Sequence, residues 1–179
     1  MTRRNGPTAH EADLDGQLDR LREAAFAAME RAYAPYSQFC VGAALLTADG
    51  TVFVGCNVEN AAYPSGICAE RAAVMAAVVA GHRSFRLIVV ATEADEPAPP
   101  CGVCRQVLVE FAPRLQVVSV NRDGAERHWT MEELLPSPFV PASLEAHAHP
   151  NAPHPAHGPE EMMPYRSGAH RAIPEDHKS

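Results

Sequence analysis

Apolar residues Leu14, Leu18, Leu21, Ala25 and Met29 recur at the three- and four-residue spacing of one helical face, so Asp13 to Tyr33 is predicted as an amphipathic helix that stops before Pro35. Phe39 to Thr47 and Thr51 to Asn57 are rich in Val, Leu and Phe and flank Ala48-Asp49-Gly50, which predicts two antiparallel strands joined by a hairpin. Cys68 to Ala80 is dense in Ala, Val and Met with Gly81 just beyond it, a helix with its stop. Arg86 to Thr92 is a continuous apolar run of strand length. Cys101 to Phe111 is a helix opened by Pro99-Pro100 and closed before Pro113. Leu115 to Val120 is a fourth strand, and a turn at Asn121 to Gly124 leads to a weak fifth near Arg127 to Thr130 and a short helix, Met131 to Leu135. The order helix, hairpin, helix, strand, helix, strand, strand predicts an α/β fold: a mixed sheet with helices on both faces.

The pattern changes near Phe139. Six of the nine His (His147, His149, His154, His157, His170, His177) lie beyond it among seven Pro, and so little apolar surface cannot offset the entropy of ordering. Residues 1–139 are therefore expected to form one domain and 140–179 a disordered tail, whose His147-x-His149 offers at most a weak, undefined metal contact. With 15 Lys+Arg against 22 Asp+Glu the chain carries −7, which argues against gripping nucleic acid through its phosphates. The longest apolar stretches, such as Ala72 to Ala80, fall short of a membrane span, and Met1 to His10 has charges and Pro but no apolar run, so neither a membrane segment nor a signal peptide is expected. Five Cys without a secretory signal favour reduced thiols and a cytoplasmic setting.

Cysteine spacing then points to metal chemistry. Cys101 and Cys104 stand three apart at a helix start, which brings their sulfurs near ~3.8 Å, the separation that tetrahedral zinc with ~2.3 Å bonds requires. Free N–H groups and the positive helix end favour the thiolate that a metal binds. Cys68 and Glu70, two apart, would face opposite sides of a helix wall, so both reach one metal only if it lies beyond the helix end. Three thiolates would leave a fourth tetrahedral position open, as in a catalytic zinc site, with Glu70 free to move protons. Each part has a plainer account: a first-turn carboxylate suits the helix dipole, a lone Cys-x-x-Cys can be a redox pair, and Cys40 and Cys56 read as small core residues on strands. Cys-Ala-Glu followed about thirty residues on by Pro-Cys-x-x-Cys, however, matches the zinc-deaminase signature with its non-ligand Glu.

From about Arg22 to Phe139 the sequence resembles cytidine deaminases of the small homotetrameric type. The likeness runs through Ala32-Tyr33-Ala34-Pro35-Tyr36-Ser37-Gln38-Phe39, Val41-Gly42-Ala43-Ala44-Leu45, Gly55-Cys56-Asn57-Val58-Glu59-Asn60-Ala61, Tyr63-Pro64, Cys68-Ala69-Glu70-Arg71, Pro100-Cys101-Gly102-Val103-Cys104-Arg105-Gln106 and Leu134-Leu135-Pro136. It implies a three-layer α/β/α fold with a five-stranded mixed sheet. It also implies one Zn²⁺ per subunit on Cys68, Cys101 and Cys104, Glu70 as proton shuttle, and hydrolysis of cytidine and 2′-deoxycytidine to the uridines and ammonia in pyrimidine salvage. The resemblance places Asn57 and Glu59 on the ribose hydroxyls, Phe39 on the pyrimidine, and Asn60, Tyr63 and Ala69 as further substrate contacts. An Asn/Glu pair suits a hydroxyl, which both donates and accepts. Arg71, next in sequence, would offset the excess charge of three thiolates. A homotetramer with shared sites is implied, Phe139 closing a neighbour's pocket. Cys40 stands where many relatives carry Pro. Two rival readings are a blasticidin S deaminase, disfavoured by Asn57-Val58-Glu59-Asn60, and a noncatalytic zinc-stabilised binding module, which needs a fourth ligand such as Cys56. Polynucleotide deaminases typically have His at the position of Cys68, and a basic surface.

Overall fold

The computed structural model describes residues 9–145. The chain divides into two units, Met1–Val140 and Pro141–Ser179. Within the first, helix α1 (Ala9–Met29) precedes strands β1 (Val41–Thr47) and β2 (Val52–Cys56), and a single 3-10 turn (Tyr63–Ser65) leads into α2 (Ala69–Val79). There follow β3 (Phe85–Thr92), α3 (Gly102–Phe111), β4 (Gln116–Asn121), β5 (Glu126–Thr130) and α4 (Met131–Leu134). The sheet order is β2-β1-β3-β4-β5, with β3 and β4 parallel and the other neighbours antiparallel, the mixed five-stranded sheet that the pattern predicts.

Alternation along the strands divides the core. Ala44, Leu46, Val89, Ala91, Val118 and Val120 face Leu21, Ala25 and Met29 of α1 on one side. Ala43, Leu45, Ile88, Val90 and Val117 face Ala73, Val74 and Ala77 of α2, Leu108 of α3 and Leu134 of α4 on the other. Two glycines set the closeness of these layers. A Cβ at Gly42 would strike the α1 backbone at Ala25 and Met29, and one at Gly55 the α2 backbone at Ala69 and Ala73.

Several boundaries differ from the sequence expectation. Helix α1 ends at Met29 rather than Tyr33, because Tyr33 leaves the helix to bond across to the segment after β2: its N–H donates to Asn57 O (3.0 Å) and its carbonyl accepts from Glu59 N (2.8 Å). β1 starts two residues later than expected, after Gln38, which takes a left-handed φ of 56°. The short helix α5 (Pro141–Glu145) forms where an unstructured tail was expected; Pro at its first position is preset for a helix. The rest of that expected tail, with His147 and His149, lies outside the described residues.

Candidate active site

Helices α2 and α3 begin with cysteines. Cys68 is the residue that starts α2 (φ −81°, ψ 156°) and Cys101 the one that starts α3 (φ −65°, ψ 164°); both are extended, and neither side chain makes a capping hydrogen bond. Their sulfurs therefore lie past the first turns, where the unpaired N–H groups of each helix point. Cys104 sits one turn into α3 and is fully buried. The three Sγ atoms lie within 4.8 Å of one another, and Cys68 and Cys101 stand 3.8 Å apart. That is the edge of a tetrahedron with ~2.3 Å zinc–sulfur bonds, so the donor set fits zinc. No fourth His, Cys, Asp or Glu joins this cluster among the described residues. Cys56 is engaged elsewhere, its Sγ 3.4 Å from the Arg31 carbonyl, and does not supply the fourth ligand that a closed structural site needs.

The surroundings hold negative charge in place. Arg71 Nη2 donates to the Gly66 carbonyl (3.1 Å) and lies 3.8 Å from Cys68 Sγ. Hydrogen bonding from Cys104, helped by Arg71 and Cys101, lowers the Cys68 thiol to about 5. The same contact with Cys68 pushes the Cys104 thiol up, with burial and Glu70 adding to it. Glu70, in the first turn of α2 and 4% exposed, is raised above the ordinary carboxylate range by burial and, less, by the Cys68 charge. A carboxyl so placed holds its proton more tightly than a solvated one, which suits it to proton transfer.

These groups open on a cleft of about 290 Å³ that brings Cys68, Cys101 and Glu70 together with Phe39, Asn57 and Glu59. Asn57 also has a structural task. Its Oδ1 accepts from Val41 N (2.8 Å) and its Nδ2 donates to the Phe39 carbonyl (2.8 Å), which leaves one N–H and one lone pair for a ligand. Glu59 Oε2 accepts from the N–H groups of Tyr36 (2.8 Å) and Ser37 (3.2 Å), and the Ser37 side chain also hydrogen-bonds the carboxyl. Bonds from Ser37 and Tyr36 hold its carboxyl below the ordinary range.

Three expected substrate contacts are not brought to this cleft. Asn60 and Tyr63 line an adjoining cavity of about 390 Å³ with Tyr36 and Gly66, which shares Ser37 and Glu59 with the cleft; it is the larger of the two but contains none of the thiols. Asn60 Oδ1 is taken by the Ala62 N–H (2.8 Å), while Tyr63 opens the 3-10 turn and stands 76% exposed, edge-on to Tyr36. Ala69 is fully buried, its backbone against Gly55. Phe139 is 59% exposed and is not part of its own chain's cleft. Sequence reasoning missed Val90, Thr92, Ala98 and Pro99, which complete the cleft wall. The hydroxyl of Thr92 is buried without a partner.

Residues 16–120, which contain Cys68, Glu70, Cys101 and Cys104, match the family model described as cytidine and deoxycytidylate deaminase zinc-binding region. The chain belongs to this deaminase family. The deaminase fold is borne out by a crystal structure of cytidine deaminase from Burkholderia pseudomallei, 52% identical with a TM-score of 0.66, which covers 68% of this chain and 98% of that one. A cytidine deaminase of Mycobacterium tuberculosis is 38% identical with a TM-score of 0.60, over 68% of this chain and 96% of that one. By sequence, the cytidine deaminase of Sporosarcina psychrophila is 47% identical over 118 residues, 65% of this chain and 87% of that protein. No helix among the described residues of this deaminase is long and apolar enough to cross a membrane.

Proposed function

We propose that this deaminase hydrolyses cytidine and 2′-deoxycytidine, with water replacing the 4-amino group to give uridine or 2′-deoxyuridine and ammonia. The reading rests on one observation: a buried carboxyl, Glu70, opens on the same cleft as a three-thiol cluster that no fourth His, Cys, Asp or Glu joins among the described residues. Zinc, when bound there, supplies a Lewis acid that makes water a nucleophile at neutral pH. Glu70 accepts one proton of the water as its oxygen bonds to C4 and delivers that proton to N3; it then takes the remaining proton of the C4 hydroxyl and passes it to the amine, which leaves as ammonia as the C4 carbonyl forms. Its burial excludes solvent from these transfers and raises its proton affinity above that of a solvated carboxylate. The Glu59 carboxylate accepts from a sugar hydroxyl while the spare N–H of Asn57 donates to one, and Phe39 offers the pyrimidine a flat apolar wall. Because Asn57 bonds the Phe39 carbonyl, the sugar and base contacts are fixed to one another.

The same reading takes the enzyme as a cytoplasmic homotetramer serving salvage of pyrimidine nucleosides, with Phe139 of one copy closing the cleft of another. Its exposed ring, absent from its own chain's cleft, supports that arrangement. An ultraviolet assay with cytidine, deoxycytidine, adenosine, CMP and blasticidin S side by side is the test. Turnover of the two cytosine nucleosides alone is expected; preferential turnover of blasticidin S, or none of any substrate by zinc-loaded protein, would overturn it.

A further inference from the structure

Phe139 combines two properties that seldom go together. Its ring is 59% exposed, yet its backbone is held at both polar groups by one side chain: its N–H donates to Gln106 Oε1 (3.2 Å) and its carbonyl accepts from Gln106 Nε2 (2.7 Å). Gln106 stands on α3 two residues past Cys104, and the next turn of that helix is buried through Leu108 and Val109. The exposed aromatic is thus tied to the rigid element that carries two of the three thiols. Among side chains of this length only glutamine offers the donor and acceptor together that match a backbone N–H and carbonyl. A ring fixed before it meets its partner surrenders less conformational freedom on docking.

We propose that Gln106 is a positioning residue: its amide sets Phe139 relative to the metal-bearing helix so that the ring completes the cleft of a second copy of the chain. The proposal rests on the reading of Phe139 given under the proposed function. It is tested with zinc-loaded full-length protein as wild type, Gln106→Met, Phe139→Ala and the double variant, following cytidine turnover and assembly mass by light scattering. Gln106→Met keeps the side chain's length and removes both bonds. It is expected to lower kcat/KM roughly tenfold, chiefly through KM as Phe139→Ala does, with the double variant no worse than Phe139→Ala alone. Gln106→Glu, which keeps the acceptor for the Phe139 N–H but sets a carboxylate oxygen against the Phe139 carbonyl, should lose at least as much as Gln106→Met. Losses that multiply in the double variant, or a Gln106→Met enzyme with wild-type constants, would overturn the proposal while leaving Phe139 in place. A silent Phe139→Ala would instead overturn the reading of Phe139, and the proposal with it. Should Gln106→Met not fold, Gln106→Glu in the Phe139→Ala background decides by the same criterion.

Discussion

At the scale of single residues, Glu70 has a cost to the fold that its chemistry explains. Replacing it with Gln keeps the shape and removes the carboxyl proposed to carry the proton, so turnover should fall by about 10² to 10⁴ in steady-state assays while zinc content stays at one per chain. The stability effect has the opposite sign. Because burial raises the Glu70 carboxyl in the folded chain, the stability linked to its proton is complete below the ordinary value of 4.5 and is lost as pH climbs through the folded value. Metal-free Glu70→Gln should therefore melt above metal-free wild type at neutral pH, and the two melting curves should converge below pH 4.5. The placement of Glu70 and the three cysteines could be read from sequence because it is local: each lies within a turn of a helix start, where spacing alone fixes direction. Asn60 and Tyr63 were placed only from neighbouring text, and a turn bond to Ala62 and the 3-10 turn set them on the cavity that adjoins the cleft across Ser37 and Glu59.

Among the elements, the loop from β3 to α3 owes its shape to contacts far away in the chain. Asn121, 3% exposed at the end of β4, donates to the carbonyls of Ala94 (3.3 Å) and Asp95 (2.8 Å) and accepts from Ala125 N (2.8 Å). Arg105 holds the other end of the loop through the Pro100 carbonyl (2.7 Å) and reaches Leu134 O (2.8 Å). Between these anchors run Ala98 and Pro99 of the cleft wall. Asn121→Ala leaves three backbone groups without their partner and should cost roughly 1–3 kcal/mol by denaturant titration, together with a higher KM from a loosened wall. Periodicity could not show this, because it reports which face of an element is buried and not which loop carbonyl a strand-end amide will meet. For the same reason the elements and their order were readable while the end of α1 was not: the pairing of Tyr33 with Asn57 and Glu59 spans more than twenty residues.

For the whole molecule, the site is contained within the first unit, since every residue that lines the cleft lies between Ser37 and Cys101 and the clamp on Phe139 ends at the boundary with the second. A chain cut after Val140 should keep the kcat/KM and melting temperature of the full chain; a large loss of either would give the His- and Pro-rich segment a part in the fold or the assembly. Where the two helix starts meet, the architecture has one more consequence. Neither Cys68 nor Cys101 ties down the opening N–H groups of its helix with a side-chain bond, so a zinc ion drawing both residues together would act as a rivet through two helix ends at once. Withdrawing it should quicken hydrogen–deuterium exchange in the first turns of α2 and α3 while the amides of β1, β3 and β4 keep their protection, a fraying of the catalytic corner that mass spectrometry of chelated and loaded protein can resolve peptide by peptide.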